Sequence, residues 1–153
     1  MKTIIFTFIS ILLATHSFAA NDCAELNDDC AYYSCIEKER VCGKRGYPLA
    51  FGQKYCNKFD SRIEKFSEDG KKWVENVKAC LISGMNEISA ETTCRDFKKT
   101  AISHHVPCYL SAGYCELSKK DKNQVIRIVR ASAWRIDIIL AGYQVISSCM
   151  SDH

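Results

Sequence analysis

Beyond residue 20 the apolar positions of this chain fall at intervals of three and four, the spacing of a helix face. Nowhere do apolar and polar residues alternate long enough to form a strand pair. The clearest run lies between Lys65 and Cys115. Within it Trp73, Val77, Cys80, Leu81, Gly84 and Ile88 share one face of a helix that begins near Glu68, so Cys80 points inward. Ser67 is the expected N-cap, and Glu68 and Asp69 put negative charge in the first turn, where the helix dipole favours it.

The flanking segments read the same way. A first helix opens at Asp22, carries Cys23, Leu26, Cys30, Tyr33 and Ile36 as an inward stripe, and ends near Val41 before Gly43, Gly46 and Pro48. Pro48 starts a second, along which Phe51, Tyr55, Cys56, Phe59, Ile63 and Phe66 recur despite Gly52. After the central helix, Ser89 is expected to cap a helix bearing Cys94, Phe97, Ala101 and Ile102. Pro107 is then expected to start a short helix bearing Cys108 and Cys115. Ser118, with Asp121 three residues on, marks the last start, and the pattern continues from Lys119 to Ser148 without a proline. Apolar residues there, from Val125 to Ile146, cover far more than one stripe. Such a helix reads first as central and buried, and otherwise as one that meets a second subunit. The expected fold is all-α, a disulfide-rich helical domain of about five to six helices with a long C-terminal helix.

The opening residues change the picture of where the chain goes. Lys2 is followed by an apolar run from Ile4 to Ala14 and by Ser17, Phe18 and Ala19, the layout of a secretory signal peptide over residues 1–20. The run is too short for a bilayer core of roughly 30 Å and is interrupted by Thr7 and Ser10. A single exported domain over residues 21–153 is expected, in an extracellular space or a periplasm, with no membrane span. The net charge is +3, one unit of it from Lys2, which is too small an imbalance to imply nucleic acid or a strongly acidic partner.

All 10 cysteines follow that leader, and an even number in an exported chain reads as a disulfide framework. Zinc fits poorly, because no Cys-x-x-Cys pair is present and His104 and His105 have no partner at ligand spacing. Cys23 and Cys30, Cys35 and Cys42, and Cys108 and Cys115 are each seven apart, which on one helix separates them by about 10.5 Å. A disulfide needs Cα atoms within about 7 Å, so each of these cysteines must find its partner on another element while its helix is intact. Among the roughly 945 pairings open to ten cysteines, geometry alone makes no choice.

The cysteine order and spacings from Cys23 to Cys149 resemble those of the stanniocalcins, including the intervals Cys56 to Cys80, Cys94 to Cys108 and Cys108 to Cys115. Three flanking motifs carry the likeness further. They are Cys30, Tyr33, Cys35, Ile36 and Glu37; Lys65, Phe66, Gly70, Lys71, Trp73 and Val74 leading into Cys80; and Cys108 with Tyr109 before Cys115. The resemblance implies five pairs, Cys23 with Cys35, Cys30 with Cys56, Cys42 with Cys94, Cys80 with Cys108, and Cys115 with Cys149. The first conflicts with one helix from Asp22 to Val41, along which Cys23 and Cys35 would lie about 18 Å apart, so that bond requires a break. Vertebrate stanniocalcins continue past the last of these cysteines into a tail whose further cysteine links two chains, and they carry an N-glycosylation sequon. Here the chain stops at His153 and has no sequon, so any dimer is expected to be noncovalent. The resemblance implies a hormone-like extracellular factor. Vertebrate relatives are associated with calcium and phosphate balance and with inhibition of pappalysin metalloproteinases.

Catalytic chemistry is not expected. No serine lies in a nucleophile-elbow motif, and neither His104 nor His105 has the adjacent aspartate and glycine-rich calcium loop of a secreted phospholipase. No catalytic residue, metal ligand or cofactor is assigned. The basic groups Lys38, Arg40, Lys44, Arg45 and Lys119, Lys120, Lys122 read as solvated faces, or as contacts for acidic glycans or a partner. On the last helix Arg127, Arg130 and Arg135 are expected to line the side away from the core. Trp134 and Ile138, with Arg127 and Arg130, form the candidate interface for a receptor, a protease or a second copy. Trp73 is an anchor or a core residue. The competing function is a secreted carrier of a small lipid-like ligand, in which the excess apolar surface of the last helix lines a cavity.

Overall fold

The computed structural model describes residues 22–132 and 135–151, and among these every regular element is helical. The expected leader and Trp134 lie outside the described residues. A 3-10 turn, Asp22–Glu25, precedes α1, Ala31–Arg40; a π-helical turn, Pro48–Gln53, runs straight into α2, Lys54–Asp60. The central helix α3, Glu68–Asn86, is followed by α4, Cys94–Ser103, α5, His105–Ser111, α6, Lys119–Val129, and the 16-residue α7, Ile136–Ser151.

The helix expected from Asp22 is broken. Asn27 and Asp28 form a turn, and the Asp29 carboxylate accepts the Ala31 amide at 2.8 Å, so the chain restarts at α1. That break brings Cys23 within 5.5 Å of Cys35 between Cα atoms, and the two are bonded. The other bonds join Cys30 to Cys56, Cys42 to Cys94, Cys80 to Cys108, and Cys115 to Cys149. No free cysteine is left among the described residues. Five such bonds place the maturation of the chain in an oxidising compartment. No described helix is long and apolar enough to cross a membrane.

Three further boundaries differ from expectation. Thr93, not Ser89, caps α4: its hydroxyl oxygen accepts the Asp96 amide, while the Ser89 hydroxyl is held by the Glu91 carboxylate and amide in the preceding turn. Pro107 lies within α5, which begins at His105, and Cys115 falls beyond the end of that helix, after the left-handed Gly113. The run from Lys119 to Ser148 is two helices. A 3-10 turn at Arg130–Ser132, in which the Ser132 hydroxyl donates to the Val129 carbonyl at 2.6 Å, ends the first of them.

The core gathers around α3, whose Trp73, Val74, Val77, Leu81, Ile82 and Met85 are buried. Trp73 lies at its centre, its ring nitrogen donating to the Tyr109 carbonyl at 3.3 Å, so it is a core residue rather than an interface anchor. The π-helical turn presses closely on α1. A Cβ on Gly52 would stand 2.2 Å from the Tyr33 ring, so only glycine lets the turn lie this close against that ring. Arg40, expected on a solvated face, instead lies 4.1 Å above the Phe97 ring and donates to the Ile88 carbonyl at 2.7 Å, clamping α1 to the α3–α4 connection.

Candidate functional site

Helix α7 determines both features that can carry function. It docks against α4 and α5 and is tied to the turn after α5 by Cys115–Cys149. Ile138, Ala141, Val145 and Cys149 recur at helical spacing on the docked side, and Val145 alone among the described α7 residues is fully buried. The opposite side is equally apolar. Ile136, Ile139, Leu140, Tyr143, Ile146 and Met150 all stand at least half exposed, with Tyr143 at 67% and Ile136 at 74%. At 100° per residue these six fall within about a third of the helix circumference, and they extend along about 21 Å of its length. Asp137 is the one charged residue of α7, and it is turned aside to pair with Lys98 and Arg135. Burial raises its pKa, and the bonds from Arg135 and Lys98 more than reverse that, leaving the carboxyl below its usual value. The outward stripe is therefore uncharged from end to end. α7 is thus not the central buried helix that its composition suggests; it is an edge helix with two apolar faces.

The predicted interface residues are dispersed by this geometry. Arg127 and Arg130 are exposed at the end of α6. Arg135, expected to face away from the core, bends back 5.4 Å over the Phe51 ring and pairs with Asp137. Ile138 packs partly buried against the core instead of facing outward. Lys122 is not simply solvated either, since it donates to the Cys115 carbonyl at 2.6 Å. Ile136 belongs to the apolar run read from Val125 to Ile146, and Met150, four residues past Ile146, extends its spacing beyond that run.

Under the docked side of α7 lies a cavity of about 160 Å³, walled by α1, the π-helical turn, α2, α3, α5 and α6. Its lining is largely aromatic, with Tyr33, Phe51, Trp73 and Tyr109 among the rings, and Gly142 and the half-exposed Ile126 and Ile146 stand on its rim. Among the described lining residues Lys78 is the charged one, and its ammonium is held by Asp60 at 2.9 Å. Burial pushes the hydroxyls of Tyr33, Tyr47 and Tyr109 up, away from ionisation, and neighbouring tyrosines add to it. Burial likewise lowers His105, despite its Nδ1 contact of 2.9 Å with the Ala101 carbonyl. The neutral ring donates from Nδ1, leaving Nε2 as an acceptor. The carrier alternative put the apolar surface of the last helix along a cavity, and Val125, Val129, Ile138 and Val145 of that run line this one; the aromatic wall opposite was not singled out, because nothing in the spacing of one segment says which rings of another will face it.

Two places gather cysteine sulfur with a carboxylate, Cys23 and Cys35 with Glu39, and Cys30 and Cys56 with Asp60. In each the two sulfurs are bonded to one another, so neither offers a thiolate to a metal. The fold and these surfaces define an all-helical, disulfide-stapled protein. No protein-family model, characterised protein or solved structure matches the chain.

Proposed function

We propose that this chain is a secreted, non-enzymatic regulatory protein of the stanniocalcin type that acts through protein–protein contact, with α7 as its contact helix. The observation that carries the reading is the outward stripe of α7, six large apolar side chains held in the open on a helix already docked by its other face. An uncharged stripe asks for an uncharged counterpart, and a second copy of the same helix supplies one in a two-fold, self-complementary contact. With no free cysteine among the described residues, such a dimer is noncovalent. The stanniocalcin part of the reading is supported by the order of the ten cysteines, the three flanking motifs and the set of five bonds. A receptor or a protease is the further partner that this class of protein would engage.

Sedimentation equilibrium of the oxidised protein tests the contact. The expected result is a monomer–dimer equilibrium that Leu140→Arg or Tyr143→Glu shifts to monomer without altering the helical circular-dichroism spectrum. A monomer at every concentration, up to the highest that stays in solution, would overturn the dimer.

A further inference from the structure

We propose that the cavity beneath α7 is a binding site for a small neutral molecule made of one aromatic ring with a hydroxyl group, a phenol in chemical class. Ala141 and Val145 line the site from the docked side of the same helix, and of the six stripe residues only Ile146 reaches its rim.

Size sets the first limit. A cavity of about 150 Å³ lined by apolar side chains takes up benzene, so the 160 Å³ here fits one substituted ring and not a long acyl chain. Wall chemistry sets the second. The rings of Tyr33, Phe51, Trp73 and Tyr109 line the cavity, the surroundings in which a further ring gains offset and edge-to-face contacts. Polar groups set the third. Tyr33 and Tyr47 are 96% buried, and no described residue exchanges a hydrogen bond with either hydroxyl or with that of Tyr109. His105, whose ring stands 5.8 Å from Phe51 and 5.9 Å from Tyr109, keeps Nε2 as an acceptor. A ligand hydroxyl can donate to that nitrogen and accept from a tyrosine, giving a partner to groups that the described residues leave without one. Charge sets the last. Lys78 is already neutralised by Asp60, so nothing in the lining compensates an ionised ligand.

The experiment is a titration of the intact oxidised protein with three probes of nearly the same shape, p-cresol, toluene and benzoate, followed by heteronuclear NMR and by Trp73 fluorescence. p-Cresol is expected to saturate one site per chain and to shift resonances of α3, α5 and α7. Toluene, lacking the hydroxyl, is expected to bind about tenfold more weakly, and benzoate more weakly still. Ala141→Phe fills the cavity from α7 and is expected to abolish binding while leaving the outward stripe untouched. Should that variant not fold, the order of the three probes on the wild-type protein still decides. Absence of saturable p-cresol binding, equal affinity for toluene, or tighter binding of benzoate overturns the proposal.

Discussion

Asp121 accepts two hydrogen bonds from Ser67, 54 positions earlier: one from its amide at 2.9 Å and one from its hydroxyl at 2.7 Å. Each residue is also the end of a helix. Ser67 caps α3 by accepting the Gly70 amide, and Asp121 lies in the first turn of α6, its amide donating to the Ser118 hydroxyl oxygen. One fully buried carboxylate thus ties the starts of two helices together. Gly70 is part of the same contact, since a Cβ there would stand 2.7 Å from the Asp121 carboxylate.

Asp121→Ala is expected to cost about 3 kcal/mol of unfolding free energy, because it leaves the Ser67 amide unpaired and loosens two caps at once. Gly70→Ala is expected to act in the same direction through the overlap. Both are read from urea midpoints of the oxidised protein; an unchanged midpoint in Asp121→Ala contradicts the assignment.

The same carboxylate predicts an acid response. Burial pushes its pKa up, and the bonds from Ser118 and Ser67 overcome this, so that it titrates below its usual value in the folded state. Its stabilisation is therefore complete above the ordinary carboxylate pKa of about 4 and is lost as pH falls through the lower folded value. Asp121→Asn should show a shallower fall in stability in that acid window than the wild-type protein.

His105 gives a second window with its own sign. Burial lowers its pKa, so as the pH drops below about 6.5 the unfolded chain takes up a proton that the folded ring refuses. Stability falls on acidification through that range and stops falling once the folded pKa is passed. His105→Phe removes this slope between about pH 7 and pH 5, a difference that urea titrations at three pH values would reveal.

Val41 closes α1 in the left-handed region, at φ 50°, with its amide donating to the Glu37 carbonyl. A β-branched residue is strained there, and this one is 78% exposed, so it has little packing to lose. The neighbouring bond between Cys42 and Cys94 holds the turn in place. Val41→Gly is expected to stabilise the protein by about 0.5 to 1 kcal/mol, visible as a rise in melting temperature. A loss of stability would show that the valine is not strained.

The parts of this fold that were legible in the sequence are those decided locally. Ser67 and Ser118 announced the starts of α3 and α6, because an N-cap is a contact within four residues. Trp73, Val77 and Leu81 of the inward stripe of α3 followed from its periodicity, whereas Val74, Ile82 and Met85 widen that face and Ile88 lies past the end of the helix. The break at Asn27 and Asp28 was legible only once Cys23 had to reach Cys35, since the apolar spacing runs straight across it. The contacts joining distant segments were not legible: the Asp121 link to Ser67, Arg40 over Phe97, and the cavity under α7 all depend on how helices cross. α7 misled for a related reason. Its composition records how much apolar surface it has, whereas only its neighbours decide how much of that surface is covered.

Those neighbours cover α7 on one side alone, which makes the bond between Cys115 and Cys149 its main restraint. The bond closes a loop of 34 residues that contains all of α6, and on the chain-entropy model its loss costs about 4 kcal/mol. The loss should not be spread evenly. α3 keeps its buried face and the Cys80–Cys108 bond, whereas α7 has Val145 as its one fully buried described residue. In the paired variant Cys115→Ser and Cys149→Ser, amide hydrogen exchange in α7 is therefore expected to quicken by more than tenfold while α3 changes far less. Equal acceleration in both helices would mean that α7 unfolds only with the whole domain and that its docked face, not the bond, holds it. Selective opening would mean that the bond keeps both surfaces of α7 in register: the stripe turned outward and the wall turned toward the cavity.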